Sequence, residues 1–317
     1  MDSLAPATQT FSPWSTRLPA WARPRSGDIS ESDAAFAAGI ALKSLDDLIR
    51  SDPPWLGCWR DRLALKSAAV AARMLGRSED EHALRDAILL TTTGDDPGPA
   101  GKLFTATRML ARRSGTVTTP FVREFAELLG MRWDDSLAST AEMIDTAIQS
   151  GRAAPLAVAE LISAITTLRP DAEVMALGLA EFVLAQKLNW PKPVPLLLRE
   201  RYGPAFRTIG GRGRVQPGEP AYPKAICLAL FDGVETALRS AVEIDRRAAR
   251  LLAVAPKVRT KGADPVIRKL LTEDAVAASA PGSDLSRWAA NRLFDRLESF
   301  EAVRELSGRS SFRIFGL

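Results

Sequence analysis

Histidine is nearly missing from this 317-residue chain: His82 is alone, alongside two cysteines and two tyrosines. A single histidine removes most metal centres and most nucleophilic triads. Glu79 and His82 have the E-x-x-H spacing of di-iron carboxylate sites, but such sites need two of these motifs and no second histidine exists. Cys58 and Cys227 are far apart and neither belongs to a CxxC pair, which fits reduced core thiols better than a disulfide or a metal knuckle. "GDDPGPAGKL" fails as a phosphate loop twice, with Asp96 where Walker spacing needs glycine and Leu103 where it needs Ser or Thr. No cofactor, metal or catalytic set is expected from these residues. No apolar run is long enough to cross a bilayer, and "MDSLAPATQTFSPWSTRLPAWARPRSGD" lacks the charged-then-apolar export pattern. The expected location is the cytoplasm, with no membrane partner.

What is present is a chain with 46% hydrophobic residues, enough for a sizeable core, and a length that suggests about two domains. Residues 1–27 are rich in Pro, Ser and Thr without periodicity, and read as an irregular arm. From "SDAAFAAGIALKSLDDLIR" onward apolar residues recur at helical spacing, interrupted at "SDPPW", "GDDPGPAG", "SGTVTTP", "SGRAAP", "LRPD" and "NWPKPVP". The spacing predicts helices at 33–50, 57–75, 79–92, 100–113, 120–129, 136–149, 154–167, 171–188 and 194–201. Ser78 and Glu81 form an S-x-x-E capping box for the third. Trp55 and Trp59, one helical turn apart, belong in the core. No repeat period emerges, which favours an irregular bundle over a solenoid. A long amphipathic segment, "GVETALRSAVEIDRRAARLLAVA", leads out of this body into the basic linker "PKVRTKGAD".

The net charge is only +4, but residues 245–317 carry 14 Lys/Arg against 9 Asp/Glu, leaving 28 against 29 before them. A basic excess in one small module favours a polyanionic partner, although arginine-rich coding would produce the same bias. The tail reads as helix "DPVIRKLLTED", a turn-rich piece "AVAASAPGSD" with room for a very short helix, helix "LSRWAANRLFDRLESF", strand "AVREL", turn "SGRS" and strand "SFRIF". That is the order of a winged helix. Ser283 or Asp284 would cap the second helix, and Gly308 would supply the positive φ of the turn. Leu285, Ala289, Leu293, Leu297 and Phe300 share one face, expected to pack on Ile267, Leu270 and Leu271 beneath Phe312 and Ile314.

The expected architecture is therefore mainly α: an irregular multi-helix bundle followed by a small C-terminal winged-helix module of helices and a β-hairpin. The expected division is an arm at 1–27, a helical domain at 28–255 and the winged-helix-like domain at 256–317. Arg287, Asn291, Arg292 and Arg296 on the outer helix face, with Arg304, Arg309 and Arg313 on the hairpin, suit base edges and phosphates of double-stranded DNA. Asp295, Glu298 and Glu301 lie on or near the same helix and oppose this. Arg207, Arg212 and Arg214, in "RYGPAFRTIGGRGRVQPGEP", form a second anion-contact candidate with an AT-hook-like "GRGR", against a structural arginine–carboxylate network.

The stretches "DAAFAAGIALKSLDDLIRSDPPWLGCWRDRLALK", "GRSEDEHALRDAILLT", "GDDPGPAG", "RYGPAFRTIGGRGRVQPGEP", "APKVRTKGA" and "LSRWAANRLFDRLESFEAVRELSGRSSFRIFGL" resemble an uncharacterised bacterial family, domain of unknown function 1403. The resemblance implies no activity. The ending is also similar to winged-helix tails of other bacterial helix-turn-helix proteins, including those attached to Fic-like domains, whose catalytic histidine motif has no counterpart here. Three functions follow as expectations. The first is DNA binding in regulation or in maintenance of a genetic element. The second is a protein-interaction or homodimerisation module, marked by an apolar patch around Trp288. The third is an enzyme using Asp46, Asp47, Asp95 or Asp96 with arginines of the 207–214 loop.

Overall fold

The computed structural model describes residues 14, 17–24, 29–92, 94–208, 211–258, 260, 262–308 and 312–317. The body opens with α1 (Glu31–Arg50), whose N-cap Ser30 accepts from the Asp33 amide at 3.0 Å. It continues through α2 (Leu56–Met74), α3 (Glu81–Leu89), α4 (Gly98–Arg112) and α5 (Thr119–Leu128). A short α6 (Asp135–Ala138) breaks at Ser139 before α7 (Thr140–Gln149), so the single helix expected at 136–149 is two. Then come α8 (Ala154–Leu168), α9 (Glu173–Lys187) and the single-turn α10 (Leu197–Glu200). Helix α3 is capped by Asp80, whose carboxylate accepts from the Ala83 amide at 2.9 Å. The Ser78–Glu81 box therefore does not form. Glu79 instead pairs with Arg77.

Helix α11 (Tyr222–Val254) starts well before the amphipathic segment recognised in the sequence, with Pro223 in its first turn, where a missing N–H costs nothing. Its 33 residues make a rod about 50 Å long that packs along α1 and against α8. Helix α2 is buried on nearly all sides, between α4, α3, α10 and α12. Trp55 and Trp59 are buried, and their indole N–H groups donate to Asp245 Oδ1 at 2.8 Å and to the Ala237 carbonyl at 3.0 Å. Cys58 and Cys227 are free and buried, and burial pushes both thiols up to about 12. In the N-terminal segment, Trp14 is buried edge-on against Trp55, with centroids 6.2 Å apart.

The tail contains α12 (Ala263–Thr272), β1 (Val276–Ala277), α13 (Arg287–Ser299), β2 (Arg304–Glu305) and β3 (Ile314–Gly316). The strands form an antiparallel sheet in the order β1-β3-β2, with Val276 opposite Phe315 and Glu305 opposite Phe315 on the other edge. "AVAASAP" contains no helix, because Val276 and Ala277 are committed to the sheet. The ladder closes where the Leu306 amide donates to the Ile314 carbonyl at 2.7 Å, so the turn is longer than "SGRS". Gly308 has φ +60°. Ser286, rather than Ser283 or Asp284, caps α13 by accepting from the Ala289 amide at 3.3 Å.

The buried stripe also differs from the expected one. Ala290, Leu293, Phe294 and Leu297 are buried, whereas Phe300, the C-cap, and Phe312, before β3, are exposed. Phe315 takes the place expected for Phe312. The hydrophobic core runs continuously from α1 through the tail, and includes Val266, Leu270, Phe294, Phe315 and Leu317. A Cβ on Gly57 would lie 2.8 Å from the Thr272 carbonyl, so glycine is what lets α2 and the end of α12 approach this closely.

Candidate nucleic-acid interface

Burying Ala290, Leu293, Phe294 and Leu297 turns the opposite side of α13 outward. Arg287, Arg292 and Arg296 are exposed there, and Asn291 is half-buried. The Arg292 guanidinium lies 4.5 Å over the Trp288 ring, and Trp288 is 68% exposed. Among the described residues the Arg296 side chain makes no hydrogen bond or ion pair, and Arg292 has no carboxylate partner.

Arg313 is differently engaged. It donates to Asp295 Oδ1 at 2.5 Å, Glu298 Oε2 at 3.1 Å and Glu305 Oε2 at 3.0 Å, and it stacks 4.7 Å over Phe315. Hydrogen bonding to Asp295 holds its guanidinium even more firmly charged than usual. Arg313 thereby clamps the hairpin to α13, and its single positive charge offsets only part of the charge of the three carboxylates it bonds. Arg304 points elsewhere, into a cavity against α2 and α11. Arg309 lies outside the described residues.

In the arginine-rich loop, residues 206–208 pair with residues 213–215. Arg207 and Arg214 pair across an isolated bridge, the Val215 amide donates to the Phe206 carbonyl at 2.8 Å, and Thr208 donates to the Gly213 carbonyl at 3.1 Å. Arg214 and Arg73 lie over Tyr202 at 4.8 and 4.2 Å. Arg201, buried beneath, donates to Glu173 at 2.5 Å and to Gln216 at 2.9 Å. Arg207 and Arg212 are exposed, so this loop offers two outward cations beside an arginine–carboxylate network. The acidic candidates do not converge: Asp46 is bonded to Arg50 and the Trp190 indole, Asp47 to Lys43, and Asp96 to Lys102 and the Gly98 amide, while Asp95 is exposed. Among the described residues no group of three His, Cys, Asp or Glu is placed to hold a metal ion.

Sequence reasoning missed Asp274. It is buried just after α12, where its two oxygens accept from Arg62 Nε and from Arg85 Nε, the latter at 2.6 Å. Burial alone would raise the Asp274 carboxyl, but Arg62 and Arg85 outweigh it and hold it below its usual range. Arg62 also donates to the carbonyls of Asp274 at 3.0 Å and Leu317 at 3.3 Å, joining the body to both ends of the small sheet. The available signal was the run Arg60-Asp61-Arg62 inside a helix rich in Leu and Ala, since charged side chains are seldom buried unless paired.

A family model described as "Protein of unknown function (DUF1403)" matches residues 7–317. The chain belongs to that family. No curated protein matches it. No helix among the described residues is long and apolar enough to cross a membrane.

Proposed function

We propose that residues 256–317 are a winged-helix-like domain that binds double-stranded DNA through α13, in a cytoplasmic protein acting in regulation or in maintenance of a genetic element. The observation that carries this reading is the charge balance on α13. Its exposed face presents Arg292 and Arg296 without carboxylate partners among the described residues, while Asp295 and Glu298 are held by Arg313. A helix with arginines and an asparagine on its outer face suits groove entry and phosphate contact, and the β1-β3-β2 sheet supports that helix from behind. Residues 278–286, a turn-rich segment, stand where a further helix often precedes the recognition helix.

The test is fluorescence anisotropy of the full chain with labelled random duplex across a salt series, beside Arg292→Glu/Arg296→Glu. The expected result is salt-dependent binding in the wild type, with the log–log slope reduced by about 2 in the variant if each arginine contacts one phosphate. A folded wild type that fails to bind at low salt, or a variant that binds equally well, overturns the reading.

A second reading rests on Trp288. An indole 68% exposed, with Phe300 and Phe312 also exposed on the tail, suits an interaction or homodimer surface. Sedimentation of wild type and Trp288→Ala distinguishes the two: a DNA-independent dimer lost in the variant favours the interaction surface.

A further inference from the structure

A cavity of about 500 Å³ opens where the tail meets the body. Its walls come from α2, α3, α11 and β2, and six Lys/Arg side chains line it against three glutamates. One of those glutamates, Glu305, is already bonded to Arg313 at 3.0 Å.

The floor is the Arg62–Asp274–Arg85 cluster. Both guanidiniums have only 7% of their side-chain surface exposed, and they share one carboxylate. Two cations share one side-chain carboxylate there, and Arg62 also donates to the Leu317 backbone oxygen at 3.3 Å, so the floor adds two recessed guanidiniums to the cations of the rim. Around the rim stand Lys66, Arg247 and Arg304, whose side chains make no hydrogen bond or ion pair among the described residues. Glu81 and Glu243 remain to oppose them, and neither is within ion-pair distance of a cation. Burial lowers Arg304 from its usual range, and the charges of Arg62 and Arg247 lower it further. Burial also lowers Lys66; Glu81 opposes that shift, and Arg199 and Arg62 add to it. Cations crowded against cations in a recess are costly until an anion enters.

The geometry selects among anions. A single carboxylate would satisfy one guanidinium fork, whereas cations on four separate elements around a recess of this size suit a group with several charged oxygens. The floor guanidiniums are too deeply recessed for the backbone of a duplex, which favours a small molecule. We infer that this cavity binds a small molecule bearing a di- or triphosphate, whose charge joins β2 of the tail to α2, α3 and α11. The occupied cavity would hold the tail against the body. This inference is independent of whether α13 binds DNA.

The experiment is calorimetric titration of the full chain with inorganic pyrophosphate and, for comparison, sulfate. Three variants accompany it: Lys66→Ala/Arg304→Ala, Arg247→Ala, and Arg292→Glu/Arg296→Glu. Saturable pyrophosphate binding is expected, about tenfold tighter than sulfate, because a bridging ligand gains at least one further charge-assisted contact. It should weaken about tenfold or more in Lys66→Ala/Arg304→Ala, fall in Arg247→Ala, and persist in the α13 variant. Circular dichroism establishes that each variant is folded, and Arg247→Ala carries the test if the double variant is not. Absence of saturable binding to the wild type, binding unchanged by the cavity variants, or binding lost only in the α13 variant would overturn the inference.

Discussion

Phe294 of α13 and Phe315 of β3 stack face to face, with ring centroids 4.4 Å apart and planes 3° apart. Both are fully buried, and this contact is the pin between the exposed helix and the sheet behind it. Truncating either to Ala removes a ring from a filled core and is expected to cost about 3–5 kcal/mol, read as a lowered denaturation midpoint in urea. An unchanged midpoint would mean that the tail contributes nothing to the cooperative unit.

Asp274 is predicted to couple acid stability to tail docking. Its native carboxyl is held below the unfolded value of 3.8, so its stabilisation is present above that value and lost as pH falls through the lower, native one. Asp274→Asn, which strands two buried guanidiniums, should destabilise at neutral pH by about 3–5 kcal/mol and flatten the acid end of the Tm–pH curve. Thermal unfolding from pH 2 to 7 (about the range over which a carboxyl titrates) checks both.

Arg60 and Arg62, two positions apart in α2, should behave oppositely. Both are 6% exposed, but Arg62 is bound to Asp274 whereas Arg60 Nε and Nη2 have no hydrogen-bond partner among the described residues, and burial lowers Arg60 to about 10. Arg62→Met is expected to cost about 3 kcal/mol or more, because it leaves Asp274 with half its counter-charge. Arg60→Met should leave stability within about 0.5 kcal/mol or raise it, because it removes a desolvated charge. Equal losses in paired denaturation curves would contradict this.

Glu181 is buried and accepts the amides of Leu196, Leu197 and Leu198 at 3.0, 2.9 and 3.2 Å, closing the start of α10. Burial pushes its carboxyl up to about 8 despite those three donors. A native value above the unfolded 4.5 means that its contribution is full below 4.5 and lost as pH rises towards 8. Glu181→Gln keeps an acceptor without the titration, so it should abolish that decline in a Tm series, while Glu181→Ala should lower Tm throughout.

Arg313→Ala would release Asp295 and Glu298 onto the face proposed to meet DNA. Affinity in the anisotropy assay is expected to fall several-fold. It should recover when Asp295→Asn and Glu298→Gln are added, because the charge, rather than the clamp, is then restored. Failure to recover would assign Arg313 to holding the hairpin alone.

The helices of the body were readable because their apolar residues repeat at helical spacing and Gly/Pro runs interrupt them. α1, α2, α4, α5 and α8 start and stop within two residues of expectation. Trp55 and Trp59 in the core, the free thiols, the helix–hairpin tail and the positive φ of Gly308 follow from equally local rules. The misses are of one kind. The stripe that α13 buries includes Ala290 and Phe294 rather than Ala289 and Phe300, and it is Phe315, not Phe312, that stacks on it. Arg304 and Arg313, alike on the page as basic hairpin residues, were separated into a cavity wall and a carboxylate clamp. Periodicity and capping act over a few residues and are written in the order of the chain. The partners of Asp274 lie 212 and 189 positions away, and such pairings exist only once packing has brought α2, α3 and the tail together.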